Sequence, residues 1–254
     1  MNRRVVFSII AGAVAAGAVL WIGGMAAAQI IETRQPAAYL TREAWLQNVP
    51  FYIDERSIVP RSFIAELLAD GEGDGTLDAW LSDQTLRVLD LCTGNGSLAV
   101  IAAMAYPEVV IDAADISSDA LAVARINVDR HELDKRITLL RSDLLDEVRG
   151  PYDLIVCTPP YVNTGSMAAL PPEYQHEPAL ALAGGEDGMD IVRRIVQQAA
   201  AHMSPNGVLL LEIGNERTHF EHAFRRLEVA WLDTSAGSDQ VLLVTRDSLT
   251  RWAR

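Results

Sequence analysis

From residue 86 onward, short apolar runs alternate with segments whose apolar positions recur every three or four residues. Segments 86–91, 109–114, 137–140, 152–157, 207–213 and 240–245 read as strands, bounded by polar or glycine-containing turns. Between them, 97–106, 118–131, 190–203 and 216–227 read as helices. The second of these carries Leu121, Ala124 and Val128 on one face, behind a capping Ser117 or Ser118. Near-continuous apolar strands separated by helices predict an α/β fold, with a mostly parallel sheet covered by helices on both faces. Ligands of such sheets bind beyond the carboxyl ends of the strands. Candidate chemistry is therefore expected just after each strand.

The pattern before residue 81 is different. Residues 33–80 read as a small lead-in region. Phe51-Tyr52-Ile53 and Ser57-Ile58-Val59 predict a β-hairpin around the turn Asp54-Glu55-Arg56. Ser62 is placed to cap a helix reaching Ala69, and 70–76 reads as a loop. Residues 1–32 form a third segment, uncharged from Val5 to Ile31 and preceded by Arg3 and Arg4. This run is long enough to span a bilayer. It also has the basic start, apolar stretch and small residues (Ala26-Ala27-Ala28) of a secretory signal.

Composition narrows the function classes. Half of the 254 residues are hydrophobic and the net charge is −13. A chain this acidic is poorly suited to neutralising phosphates, so direct nucleic-acid binding is not expected, whereas a basic protein partner would be attracted. Cys92 and Cys157 fit neither a zinc pattern nor a disulfide framework. His219 and His222 lie three apart with no third ligand evident, so no metal is expected. No nucleophile elbow is present.

The strand ends carry a constellation. After the first strand comes Asp90-Leu91-Cys92-Thr93-Gly94-Asn95-Gly96, where Gly94 and Gly96 permit a tight turn and close approach of backbone to a ligand. The third glycine of a dinucleotide fingerprint is replaced by Ala99. Asp115, with Ile116 beside it, follows the second strand at an offset suited to accepting ribose hydroxyls. Asp143 and Leu144 follow the third, placed to accept from an amino group and to pack on an aromatic ring. The fourth strand ends in Thr158-Pro159-Pro160-Tyr161. Its two prolines remove two backbone donors, which leaves the carbonyls of Thr158 and Pro159 free to accept from an incoming NH2 group.

At this point the chain resembles the class I (Rossmann-like) methyltransferases with an Asn-Pro-Pro-Tyr motif, whose sheet has seven strands. The resemblance implies S-adenosylmethionine as cofactor and a planar, conjugated nitrogen as target. Phe51 to Arg56, Val59-Pro60-Arg61-Ser62, Leu170 to Pro178 and Ala183 to Gly188 are similar to the protein-(glutamine-N5) methyltransferases. Pro60-Arg61-Ser62 and Tyr174-x-His176-Glu177-Pro178 look most like the branch acting on the third protein of the large ribosomal subunit. By resemblance, Thr158, Pro159, Pro160 and Tyr161 form the reaction centre, with Arg61 and His176 also contacting substrate. Asp90, Cys92, Thr93, Gly94, Asn95, Gly96, Asp115, Ile116, Asp143 and Leu144 hold the cofactor.

Thr158 stands where the family has Asn, and the apolar segment stands where the family has a helical domain. Three alternatives stay open: a release-factor glutamine methyltransferase, a nucleic-acid amino-group methyltransferase, and a cofactor-binding protein with reduced or lost catalysis. The cofactor and substrate imply a cytoplasmic protein. Residues 5–31 leave membrane contact as a further alternative.

Overall fold

The computed structural model describes residues 34–69, 75–82 and 84–254. The apolar segment 1–32, with its expected membrane contact, lies outside the described residues. In chain order the elements are α1 (Ala37–Thr41), β1 (Glu43–Leu46), β2 (Val49–Tyr52) and α2 (Ile64–Ala69). Then follow β3 (Arg87–Leu91), α3 (Ser97–Ala105), β4 (Val110–Asp115), α4 (Ser118–Arg130), β5 (Ile137–Arg141) and β6 (Tyr152–Cys157). The remainder is α5 (Thr164–Ala169), α6 (Asp190–His202), β7 (Met203–Glu212), α7 (Arg217–Ala223), β8 (Ala230–Thr234), β9 (Gly237–Thr245) and α8 (Arg246–Trp252).

Seven strands form one sheet in the order β5-β4-β3-β6-β7-β9-β8. β3 to β7 run parallel to one another, and β9 runs antiparallel to both β7 and β8. Successive residues of β3 face opposite layers. Val88 packs with Ile111, Leu154 and Val208, while Leu89 packs with Ile155, Leu209 and Val192. Both faces are dry, which is why these strands read as unbroken apolar runs. Strand order reverses about β3, so the crevice lies at the carboxyl ends of β3 and β6.

The lead-in region differs from its sequence pattern. The hairpin exists, but β1 pairs with β2 around Gln47 and Asn48, both at positive φ (48° and 60°). Such φ values suit a tight two-residue turn. Residues 57–59 join no sheet. The buried Asp54 carboxylate accepts from the backbone N–H and guanidinium of Arg56 and from the Tyr52 hydroxyl. The Ser57 carbonyl accepts from Tyr39 Oη at 2.7 Å. Side chains thus take up the polar groups that a strand ladder would have used.

Ser62 does lie at the start of α2, where its hydroxyl accepts from Ile64 N–H at 3.2 Å. Ile64, Leu67 and Leu68 are buried in the same apolar layer as α3. Further elements escaped the pattern. α1 and α5 span only 5 and 6 residues, too few for a helical repeat to show. β8 is an edge strand with one buried residue, Leu232, so it shows no apolar run. α8 begins directly after β9, its first turn capped by Thr245.

Asn127, on α4, fastens the hairpin to the main domain. It is fully buried, accepts from Tyr52 N–H at 2.7 Å, and donates to the carbonyls of Tyr52 (3.0 Å) and Asn95 (2.8 Å). Asn127→Ala removes the partner of one buried and two half-buried backbone groups, at about 1–3 kcal/mol for a fully buried one. The expected loss in urea unfolding is roughly 3 kcal/mol, since the hairpin can partly open to water. A loss below about 0.5 kcal/mol would show that this contact is not structural.

Candidate active site

The crevice is a cavity of about 820 Å³ running from the carboxyl end of β5 to that of β7. Its size is in the range of small-molecule and cofactor sites. Three strand ends shape one half of it.

After β3, the chain turns sharply through Cys92 (φ 61°), Gly94 (φ 57°) and Gly96 (φ 80°). A Cβ on Gly96 would meet Ala124 Cβ at 3.1 Å, so glycine lets the loop sit against α4. Cys92, Thr93, Gly94 and Asn95 line the cavity. Asp115 lines it from β4. One carboxylate oxygen accepts from Gly94 N–H and the other from Ser117 N–H, both at 2.9 Å. These bonds fix the glycine turn to the second strand. Burial nevertheless holds the Asp115 carboxyl above the usual range, because desolvation outweighs the amides. Ile116 lines the wall and is 44% exposed.

After β5, Asp143 and Leu144 line the cavity. Leu144 is buried at φ 53°, a strained position of the kind that gathers at functional sites. Asp143 is paired with Arg194 Nη1 at 3.0 Å, a partner the linear pattern could not supply.

Asp90 and Gly96 lie outside the cavity wall. The Asp90 carboxylate is buried behind the loop, where it accepts from the Thr93 hydroxyl and from Ala99 N–H at 3.0 Å. Its second oxygen has no partner among the described residues. Desolvation pushes its pKa up to about 7, against the two hydrogen bonds and with some help from the Asp115 charge. Asp90 therefore holds the loop from beneath.

The other half of the cavity is the Thr158-Pro159-Pro160-Tyr161 turn, all four residues lining it. Among the described residues, no loop or turn N–H donates to the carbonyls of Thr158 or Pro159. The backbone of Tyr161 is clasped by glycines. A Cβ on Gly188 (φ 77°) would lie 2.2 Å from the Tyr161 carbonyl oxygen, and one on Gly184 would lie 2.7 Å from Tyr161 Cα. Gly214 makes room for the ring in the same way. This close approach is the physical reason for Gly184 and Gly188, while Gly185 makes room for the Asp190 carboxylate. Burial, with the nearby Glu212 charge, raises the Tyr161 pKa, so the hydroxyl stays protonated.

Arg61 lines the mouth of the cavity, 4.6 Å over the Tyr174 ring and ion-paired to the buried Glu177. Burial raises the Glu177 pKa, and Arg61 opposes that shift. His176 is exposed on a short 3₁₀ turn and does not line the cavity. His219 Nδ1 contacts Glu216, which also accepts from Asn163. Among the described residues no cluster of three metal-ligating side chains occurs.

Residues 74–170 match the Methyltransferase small domain family. A ribosomal protein uL3 glutamine methyltransferase of Bordetella pertussis is 55% identical over 222 residues, covering 86% of this chain and 73% of the relative. The chain belongs to this methyltransferase family. A second relative of the same description, from Burkholderia pseudomallei, is 54% identical, covering 85% of this chain and 72% of its own. A methyltransferase structure from Pyrococcus furiosus shares the fold at TM-score 0.56 and 15% identity, over 86% of this chain and 96% of that one. Family membership makes S-adenosylmethionine the cofactor.

The site fits that cofactor on its own chemistry. Ser57 Oγ and Asn95 Nδ2 are buried polar atoms without a partner among the described residues, and both residues line the cavity beside the glycine turn. Asp115 has remaining lone pairs for hydroxyl groups, and a donor adenosine carries a ribose diol.

Asp115→Ala is expected to weaken S-adenosylmethionine binding roughly tenfold to a hundredfold in calorimetry, since hydrogen bonds to a charged group are worth about 1.5–3 kcal/mol. Unchanged affinity would remove Asp115 from the site. Asp90 gives a pH prediction. Its folded pKa is raised, so its stabilising contribution is complete below about pH 4 and is lost as pH rises through about 7. Wild type should therefore lose thermal stability relative to Asp90→Asn between these values, and the difference should level off above them. A constant difference from pH 4 to 8 would contradict this.

Proposed function

We propose that this protein transfers a methyl group from S-adenosylmethionine to the side-chain amide nitrogen of a glutamine in ribosomal protein uL3. The observation that carries the reading is the Pro159-Pro160 turn, where consecutive carbonyls receive no loop or turn N–H among the described residues, at the wall of a cofactor-sized cavity. The uL3 activity of relatives more than half identical to this chain supports the substrate. A net charge of −13 supports a basic protein partner over a nucleic acid. A ribosomal protein substrate supports a cytoplasmic site of action. Among the described residues no helix is long and apolar enough to cross a membrane.

S-adenosylmethionine, when bound, would supply an electrophilic methyl group, its S–CH3 bond breaking to leave a neutral thioether. Thr93, Gly94, Asn95, Asp115, Ile116, Asp143 and Leu144 would hold it, with Cys92 and Gly96 shaping the turn and Asp90 bracing it. A glutamine amide nitrogen is a weak nucleophile because its lone pair is delocalised. The Thr158 hydroxyl and Pro159 carbonyl accept the two amide hydrogens, which turns the nitrogen toward the methyl. Such positioning supplies roughly 7–11 kcal/mol at its limit. The same acceptors stabilise the positive charge that grows on nitrogen. Tyr161 packs on the amide, and Arg61 keeps the mouth of the site in shape through Tyr174 and Glu177. His176, on the surface, contacts the protein substrate outside the cavity. The surplus amide proton leaves to water after transfer, so no strong base is needed.

The reading is tested by labelled methyl transfer to purified uL3, a release factor and ribosomal RNA. Label is expected in uL3, with at most about 1% of that rate for the other two. Preferred labelling of the release factor or RNA would select those alternatives. Cofactor binding without transfer to any of them would make the chain a binding protein. Thr158→Val, which keeps the shape and removes the hydroxyl, is expected to lower kcat roughly a hundredfold.

A further inference from the structure

The position that departs from the family pattern, Thr158, is tied through Ser62 to Glu212 on β7. Thr158 Oγ1 lies 3.0 Å from Ser62 Oγ, which lies 2.6 Å from Glu212 Oε2. Ser62 and Glu212 both line the cavity, Glu212 is 2% exposed, and Glu212 Oε2 also accepts from Phe63 N–H at 2.9 Å. A carboxylate oxygen gathering an N–H and a hydroxyl can only accept.

Counting hydrogens then decides every direction in the chain. The Ser62 hydroxyl has one hydrogen, and Glu212 takes it. Ser62 Oγ has two lone pairs. One accepts Ile64 N–H at 3.2 Å, so the other faces Thr158. The Thr158 hydroxyl must therefore donate to Ser62. Its own lone pairs are left for other donors, and they belong to a residue on the cavity wall.

The geometry points to Ser62 and Glu212 as positioning residues that lock the Thr158 hydroxyl as an acceptor for a substrate N–H. This inference rests on the proposed amide methylation and explains how a threonine can serve there. A free hydroxyl rotates, and half-time pointing its hydrogen at the substrate would repel the amide. The relay removes that freedom. A carboxamide oxygen cannot donate, so an asparagine at 158 would not require the relay. Ser62 and Glu212 act through Thr158 and touch no reacting atom.

A four-cornered comparison tests this: wild type, Ser62→Ala, Thr158→Asn, and the double variant, each assayed for methyl transfer to uL3 with kcat and KM separated. Calorimetry with S-adenosylmethionine and thermal unfolding accompany each protein, because Ser62 also caps α2. Ser62→Ala should lower kcat tenfold to a hundredfold with Thr158 present, and less than about threefold with Asn at that position. KM for uL3 should move less than kcat, cofactor affinity should stay within twofold, and Ser62→Thr should restore most of the rate. Equal losses in both backgrounds would make Ser62 a helix cap only and overturn the relay. No loss in either background would overturn it as well. A wild-type protein that binds cofactor and methylates no glutamine sinks the proposed function itself, and the relay with it.

Discussion

The Glu212 carboxylate is the point on which the two parts of the molecule meet. It closes β7 at the carboxyl edge of the sheet, and the start of α2 is hydrogen-bonded to it. A buried acid that lost these donors would be costly to keep charged, and burial already raises its pKa despite them. The contact therefore fixes where α2 begins. That in turn fixes Arg61 and Ser62 at the cavity, and Ser62 lies against Thr158. Asn127 does the corresponding work for the hairpin, joining Tyr52 to the backbone of the glycine turn. The lead-in region is held at both ends by buried polar side chains, while its helix shares an apolar layer with the sheet.

This arrangement separates binding from chemistry in space. One half of the cavity is built by the ends of β3, β4 and β5, with Asp115 bracing the glycine turn. The other half is built by the end of β6, with glycines at 184, 188 and 214 admitting Tyr161. Parallel pairing brings both halves to the same edge, so a methyl donor and an amide can be set end to end without any moving domain. Nothing in the reaction centre is strongly basic. On the proposed mechanism the catalytic demand is orientation of a neutral amide, which the Thr158 hydroxyl and the Pro159 carbonyl would meet.

The order of the central strands and their helices was legible because both faces of the sheet are dry there and each of those strands is an apolar run. The glycine turn, Asp115 and the double proline were legible because each sits at the carboxyl end of a strand. The hairpin was misplaced by one segment: Ser57-Ile58-Val59 has strand composition, but Asp54 and Tyr39 capture its polar neighbours. Other functional contacts join residues far apart in the chain, such as Ser62 with Glu212, Arg194 with Asp143 and Arg61 with Glu177. No local spacing encodes those pairs. Asp90 and His176 illustrate the converse. Both sit in recognisable motifs, yet one lies behind the loop and the other on the surface, because a motif fixes chain position and not the direction of a side chain.

The central claim is that the Thr158-Pro159 acceptors select a carboxamide nitrogen. The most direct measurement is fragmentation mass spectrometry of uL3 after incubation with this protein and S-adenosylmethionine, locating the added methyl to one atom type. A single methyl is expected on the side-chain amide nitrogen of one glutamine, absent when that glutamine is replaced by glutamate. A methyl on a lysine, an α-amino group or a carboxylate oxygen would contradict the claim.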